Sequence, residues 1–273
     1  NELENMTSCR LVPYSNCAGA DFNNTNLSGM DLTGINFQNA DLLYANLTDA
    51  DLTYSDLRGA SFSYADLTDA SLYGADLTDA NLNGADLTNA NLRYADLSGA
   101  EVRFADLTNA NLRYADLRNA DLYYADLPGA DLYGADLTNA DLRYADLNYA
   151  DLKFADLTNT NLRYADLRNA DLYDADLSGA EVRYADLTNA SLFYTELTDT
   201  NFVNADLTNA DLRFAILTNT KLFDADLTNA DLNYADLKFA DFEYATVTDA
   251  DFDDTYWHQT IWTDGLRYDS NQA

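Results

Sequence analysis

The chain has 273 residues, of which 47 are acidic and 15 are basic, so its formal net charge at pH 7 is -32. Hydrophobic residues make up 47% of the sequence, a share normal for a folded protein and too high for a wholly disordered one. Two cysteines exclude a scaffold held by many disulfides, and no apolar run approaches the roughly 18 residues that a membrane span needs.

Residues 1–19 lack the pattern that fills the rest of the chain, and we expect them to form an N-terminal cap. Leu3, Met6 and Leu11 are loosely spaced for one face of a helix, and Pro13 would end a helix there. The sequence therefore predicts a short helix or an irregular cap over the first repeats.

Cys9 and Cys17 are the only cysteines. The chain between them is long enough to bring them to the roughly 6 Å that separates the Cα atoms of a disulfide. The alternative, which the sequence favours, is two unpaired thiols, one in the cap and one buried inside the first coil.

From Ala20 onward the chain reads in groups of five residues. The first residue is mostly Ala, the second is Asp or Asn, and the third is Leu or another large apolar residue. The third position is apolar without interruption from Phe22 to Phe252, and Trp257 and Trp262 keep the same register. The repeats therefore occupy residues 20–264.

A period of five fits neither an α-helix, which needs 3.6, nor a flat strand, which needs 2. Apolar residues at positions one and three alternate as they do in a strand, so the two remaining residues must turn the chain. Each repeat then forms one short side and one corner of a coil. Because the backbone turns at every repeat, successive repeats wind it into a solenoid. Alanine near the corner and leucine at the axis would fill a narrow tube, whose stacked coils pair at about 4.8 Å and need a cap at each end.

Repeats of the form Ala-(Asp/Asn)-Leu-x-x, such as residues 40–44, resemble the signature of the pentapeptide-repeat proteins, including cyanobacterial members. This resemblance implies an all-β fold: a right-handed quadrilateral parallel β-helix, or solenoid, with four repeats per coil. About 12 coils at roughly 4.8 Å each would make it roughly 60 Å long.

The C-terminal end has two interpretations. Residues 265–273 look like a tail, and Trp257 and Trp262 fall at central positions, where we expect them to plug the last coil. Relatives that bind topoisomerases dimerise through their C-terminal ends, so the resemblance also allows Trp257, Ile261 and Trp262 to join two chains. The chain is therefore predicted to be a monomer or a C-terminal-end dimer.

A column of carboxylates is predicted along one side, where a 20-residue coil would align every fourth repeat. Its candidate members are Asp76, Asp96, Asp116, Asp136 and Asp156. Like charges at this spacing repel one another, unless each carboxylate accepts a backbone N–H at its corner, as in an Asx turn, or pairs with a nearby arginine. A solubilising and turn-capping ladder is the simplest interpretation of the column.

Mimicry of DNA is the sharper interpretation of the acidic residues. A net charge of -32 along roughly 60 Å is one charge in about 2 Å, close to the value of about 1.7 Å for B-DNA. The family resemblance implies that some members bind DNA gyrase or topoisomerase IV in place of DNA, as inhibitors or protectors.

An Arg–Tyr strip is predicted on another side, since three coils carry the same pair of residues. Its candidate members are Arg143, Tyr144, Arg163, Tyr164, Arg183 and Tyr184. Arginine and aromatic residues are enriched at protein interfaces, which would make the strip a docking surface. Stacked aromatic residues also stabilise a sheet by themselves, and we favour that interpretation.

No catalytic, cofactor or metal site is predicted. His258 is the only histidine, and a filled tube offers no pocket in which it could act as a general base. Calcium needs six to eight converging oxygen ligands, whereas a regular column of carboxylates does not converge. Direct binding of nucleic acid is disfavoured because phosphates would meet a strongly negative surface.

The sequence thus predicts a non-enzymatic, rigid and acidic interaction or scaffold protein with an unknown protein partner. The alternative is a DNA-mimicking modulator of a type II topoisomerase. We expect a soluble protein, either cytoplasmic or exported to a periplasm or lumen after loss of a signal peptide.

Overall fold

The computed structural model describes residues 9–270, and the chain divides into two compact units, Asn1–Asp136 and Leu137–Ala273. Both units are built from the same element, a parallel bridge between residues 20 positions apart. Asp21 pairs in this way with Asp41 in unit 1, and Asp141 pairs with Asn161 in unit 2. Twenty residues are four repeats, so each coil has four sides.

We number the sides by their central residues. Side 1 contains the repeats centred on Phe22 and on every twentieth residue after it. Sides 2, 3 and 4 are centred in the same way on Leu27, Leu32 and Phe37.

Three kinds of backbone hydrogen bond recur in the repeats. The N–H of Leu42 donates to the carbonyl of Ser61 in the next coil at 2.7 Å, and the N–H of Asp41 donates to Ala20 in the previous coil at 2.9 Å. The N–H of Ala45 donates to Leu42 at 3.0 Å and closes the corner. The corner residue Tyr44 has a φ of 57°, a left-handed value that recurs at the last residue of nearly every repeat.

The core of each unit follows from the alternation of the repeat. Central residues from Leu27 to Phe242 are at most 1% exposed, and the alanines that precede them are buried too. Where a fully buried threonine replaces alanine, its hydroxyl donates to a carbonyl of the previous coil, as Thr160 does to Leu137 at 2.9 Å. Such hydroxyls keep buried polar atoms paired, and the interior is filled by side chains, as predicted.

The N-terminal cap was predicted as a short helix or an irregular segment, and the described part of it is not helical. Leu3 and Met6 of the predicted helix lie outside the described residues, and residues 9–19 contain no helix. Coil geometry begins before Ala20, because Asn16 already forms a parallel bridge with Asn36. Proline therefore occupies a corner of the coil and does not end a helix.

The preference for two unpaired thiols was wrong. Cys9 and Cys17 form a disulfide, with their Cα atoms 5.1 Å apart. The turn at Pro13 and Tyr14 brings the two together, and it is closed by the N–H of Ser15 donating to Val12 at 3.3 Å. Cys17 occupies a central position and is 2% exposed, so the bridge ties residue 9 to the core of unit 1.

The C-terminal residues form a short hairpin where the sequence suggested a tail. Strand β1 is Thr260–Ile261 and strand β2 is Arg267–Tyr268. They pair antiparallel, with Thr260 opposite Tyr268.

Trp257 and Trp262 pack against each other, with ring centroids 5.0 Å apart. Phe242 and Phe252 complete the cluster, at 5.6 Å and 5.2 Å from Trp262. The tryptophan rings are thus buried within unit 2. Their role as a cap stays a prediction.

Candidate interaction surface

The predicted acidic column lies on side 4 and is divided between the two units. In unit 1, consecutive bridges join Asp76 to Asp96, Asp96 to Asp116, and Asp116 to Asp136. Asp156 belongs to unit 2, where it pairs with Asp176. Within unit 1 the structure therefore brings four of the five predicted residues together.

The carboxylates of this column cap the turns of their own repeats. Oδ1 of Asp76 accepts the N–H of Thr78 at 3.1 Å, and Oδ1 of Asp156 accepts that of Thr158 at 2.9 Å. The same bond, donated by the N–H of residue four to the side-chain oxygen of residue two, recurs along the chain. It compensates part of the repulsion between stacked carboxylates, as the Asx-turn interpretation predicts.

Arginines pair with the same column. The guanidinium of Arg58 lies 2.6 Å from Asp56 and 3.4 Å from Asp76. Arg118 pairs with Asp116 and lies 3.6 Å from Asp136. The hydrogen bond from Arg58 is the main cause that lowers the pKa of Asp56 below its ordinary value.

The Arg–Tyr strip lies on side 1 of unit 2. The rings of Tyr144 and Tyr164 stack with centroids 4.9 Å apart and planes inclined by 4°. Tyr164 and Tyr184 repeat this geometry at 4.9 Å and 5°. The three rings form one ladder, which is the arrangement that stabilises neighbouring coils.

The three arginines of the strip have different partners. Arg143 pairs with Asp141 in its own repeat at 2.6 Å, and Arg163 reaches Glu181 in the next coil at 3.1 Å. Arg183 lies over the ring of Tyr184, 5.5 Å from its centroid, and no carboxylate lies within 4 Å of it among residues 9–270. The strip therefore ends in an arginine that makes no ion pair within the described part of the chain.

Further aromatic ladders occur outside the predicted Arg–Tyr strip. On side 3 of unit 2, Phe214 stacks between Tyr194 and Tyr234, at 4.9 Å and 4.8 Å. On side 3 of unit 1, Tyr94 and Tyr114 stack at 5.3 Å. The signal for them was the aromatic residue recurring at the last position of alternate repeats.

His258 lies at the surface of unit 2. Its Nδ1 is 3.3 Å from Oδ1 of Asp269, and its ring packs edge-on against Phe239 at 5.2 Å. Within the described part of the chain, no group of three or more His, Cys, Asp or Glu residues is placed to hold a metal ion. The same residues include no helix with the length and apolar character needed to cross a membrane.

These features define a class of protein: a parallel β-solenoid of five-residue repeats, with a filled interior and a surface of carboxylates and aromatic rings. A sequence model of the family described as pentapeptide repeats matches the chain in overlapping segments, the first at residues 15–53 and the last at residues 220–256. The chain therefore belongs to the pentapeptide-repeat family, whose fold is the right-handed quadrilateral β-helix.

Solved structures of the same kind are similar to this chain. HetL from the cyanobacterium Nostoc sp. strain PCC 7120, involved in heterocyst differentiation regulation, is 30% identical, covers 94% of this chain and 92% of its own, and has a TM-score of 0.28. Rfr23 from the cyanobacterium Cyanothece 51142 is 32% identical, with coverages of 49% and 91% and a TM-score of 0.32.

Full-length QnrB1, a plasmid-mediated fluoroquinolone resistance protein, is 17% identical, with coverages of 84% and 90% and a TM-score of 0.29. The comparison with curated proteins found no match.

Proposed function

We propose that this chain is a non-enzymatic acidic scaffold that binds a basic surface of a partner protein through its columns of carboxylates. The observation that carries the proposal is the fixed spacing of those carboxylates. On side 2 of unit 2, consecutive bridges join Asp186 to Asp206 and Asp206 to Asp226. The backbone thus holds acidic groups one coil apart, at about 4.8 Å, without any ordering when the partner binds.

A filled interior supports the non-enzymatic part of the proposal. General acid–base catalysis needs a pocket that holds substrate against a positioned side chain. The central residues of both units occupy the axis, and the only histidine lies at the surface with a carboxylate beside it. Presentation of side chains, and not chemistry, is what this geometry supports.

The test compares clustered with scattered removal of charge. One variant carries Asp186→Asn, Asp206→Asn and Asp226→Asn, which removes three consecutive carboxylates of one column and keeps an oxygen acceptor for each turn. The control removes the same charge from three separate sides, with Asp31→Asn, Asp176→Asn and Asp241→Asn. The probe is nonaarginine with blocked ends, and its fluorescence anisotropy gives Kd.

We expect the clustered variant to bind nonaarginine at least threefold more weakly than the scattered one. Fixed spacing predicts this difference because the peptide contacts several carboxylates of one column at once. Equal affinities would show that only the total charge matters, and the proposal would then fail.

Modulation of a type II topoisomerase is the second candidate function, and the same columns favour it. Carboxylates at one-coil spacing on a chain of net charge -32 can occupy a protein surface that binds DNA phosphates. A gyrase supercoiling assay tests this, with poly-aspartate of equal charge as the control. Inhibition or drug protection by the protein alone would support mimicry, whereas an effect shared with poly-aspartate would exclude it.

A further inference from the structure

One stretch of side 1 in unit 2 has no carboxylate at any outward position. We call it the acid-free window. It begins at Arg183 and ends at Phe223, and its members are Arg183, Tyr184, Asn201, Val203, Asn204, Lys221 and Phe223. Bridges from Glu181 to Asn201 and from Asn201 to Lys221 place these residues in consecutive coils. The repeat's acidic second position is therefore replaced twice in succession on this side.

The two cations of the window lack ion pairs with any described residue, whereas most basic residues of this chain have one. Ten of the fifteen basic residues lie within 4.0 Å of a carboxylate, counted over residues 9–270. Lys221 is exposed and makes no ion pair with any described residue. Nε of Arg183 is buried, and its N–H makes no hydrogen bond among residues 9–270.

The carboxylate of Glu181 does not compensate Arg183. Its Oε2 already accepts a hydrogen bond from Arg163 at 3.1 Å and another from Nδ2 of Asn201 at 3.2 Å. In the next coil, the position where Arg163 finds its acidic partner is occupied for Arg183 by Asn201, which is neutral. The window therefore carries two positive charges, bordered on side 1 by Glu181 and Asp224, in a chain whose net charge is -32.

The neighbouring side 2 shows why such an interruption matters. Its column from Asp146 to Asp226 repeats the same carboxylate at every coil. A basic partner lying along this column could move by one coil, about 4.8 Å, and make the same contacts again. A periodic surface gives affinity without a defined position. A coil that carries a basic residue removes this degeneracy. A basic partner shifted onto that coil would bring like charges together, which weakens binding.

We propose that the acid-free window sets the position of a basic partner protein by binding one carboxylate of that partner at Arg183 and Lys221. This inference rests on the proposed function, that the acidic columns bind a basic surface. The guanidinium of Arg183 can donate two parallel hydrogen bonds to a carboxylate. Lys221 adds a second positive charge two coils further along the chain. The partner surface is thus basic with a single acidic residue opposite the window. A nucleic acid does not fit, because its phosphates would also face the column of side 2.

The test uses a nine-residue peptide with a single glutamate flanked by four arginines on each side. Both termini are blocked, so the glutamate carries the peptide's only carboxylate. A carbodiimide joins its carboxylate to lysine amines, and arginine does not react. The chain has three lysines, of which Lys153 and Lys238 are in ion pairs with Asp151 and Asp236. Mass spectrometry of the digested product locates the new amide. We expect it at Lys221, at least fivefold more often than at either other lysine.

Two variants separate recognition from simple accessibility of the amine. Arg183→Thr introduces the residue that occurs most often at the fourth position of the repeats, so we expect the fold to be kept. It leaves the Lys221 amine in place, yet should lower the yield at Lys221 at least threefold. Arg213→Thr removes the same charge on side 3 and should leave the yield unchanged.

An unchanged yield in Arg183→Thr, or equal yields at the three lysines, would overturn the inference. If the peptide binds the wild-type chain but shows no preference for Lys221, only the role of the window fails. If neither this peptide nor nonaarginine binds at all, the proposed function fails and the inference fails with it.

Discussion

At the scale of single residues, the corner position decides which side chains the solenoid accepts. Its left-handed φ is tolerated by Asn and Asp and costs nothing for Gly, yet Tyr or Phe occupies it in many repeats. Four glycines follow a tyrosine by one coil. At Gly74 an added Cβ would lie 2.7 Å from Cε1 of Tyr54, so the ring lies directly over the glycine.

Gly74→Ala should destabilise unit 1 by about 2–3 kcal/mol, because it combines a left-handed backbone with a clash against the Tyr54 ring. Gly29→Ala is the matched control. Its φ of 64° is similar to the 61° of Gly74, but no atom lies within 4 Å of the added Cβ. It should cost about 1 kcal/mol. Urea unfolding measures both, and equal losses would mean that the ring imposes no constraint.

The ion pair of Asp56 predicts a pH dependence. Because hydrogen bonding to Arg58 holds the pKa of Asp56 below its ordinary value, the pair stabilises the fold above the pKa of the unfolded chain. This contribution is lost as the pH falls through the lowered pKa of the folded state. In Arg58→Thr the pKa of Asp56 should rise. An NMR titration of the carboxyl carbon measures the shift, and an unchanged midpoint would contradict it.

At the scale of elements, the ladders join coils through side chains in addition to backbone bonds. Tyr164 stacks on a ring in the coil before it and on another in the coil after it. Tyr149 has a similar left-handed φ, is 68% exposed and makes no ring contact within the described residues. The same residue type is thus present with and without a ladder.

Tyr164→Ala should destabilise unit 2 by about 1–3 kcal/mol, since it removes two ring pairs worth about 0.5–1.5 kcal/mol each. Tyr149→Ala should change the free energy of unfolding by less than about 0.5 kcal/mol. Chemical denaturation followed by far-UV circular dichroism compares the two. A similar loss in both variants would refute a stabilising role of the stack.

The choice of partner by each arginine follows a local rule. Arg143 and Arg213 bind the Asp of their own repeat, whereas Arg113 and Arg163 follow an Asn and reach an acid one coil ahead. Arg183 has a neutral residue one coil ahead, and its own glutamate is engaged elsewhere. The sequence contains this information, but only once the 20-residue coil is known.

At the scale of the whole molecule, the net charge of -32 opposes folding. Carboxylates are far apart in the unfolded chain and close together in the folded one, so they repel one another more strongly after folding. Salt screens this repulsion. Salt also weakens the attraction within the ion pairs, which lowers stability. These pairs are exposed and few compared with the 47 acidic residues, so we expect their effect to be smaller.

Raising NaCl from about 20 mM to about 500 mM should therefore raise the urea midpoint. The variant with Asp186→Asn, Asp206→Asn and Asp226→Asn should show a smaller rise, because part of the repulsion is already absent. A midpoint that falls with salt would mean that the ion pairs outweigh the repulsion.

The sequence predicts the repeating part of this molecule well and its ends poorly. An unbroken period of five determines which residues are buried and which backbone groups pair, so Leu42 and Asp41 could be placed in advance. The turn that pairs Cys9 with Cys17 and the hairpin of Arg267 and Tyr268 depend on single contacts that no period reports. The coil length predicts which carboxylates stack in one column. Whether a partner binds a column depends on the surface of that partner, which this sequence does not contain.

The closed coil of 20 residues also limits how such a chain can change in length during evolution. Deleting 20 residues within one unit would leave every later residue on its original side, whereas deleting five would rotate all of them by a quarter turn and place tyrosines in line with threonines. Only insertions and deletions of whole coils keep the surface intact. The natural step of duplication or loss in this gene is therefore 60 nucleotides, and chains of different length can share the same four faces.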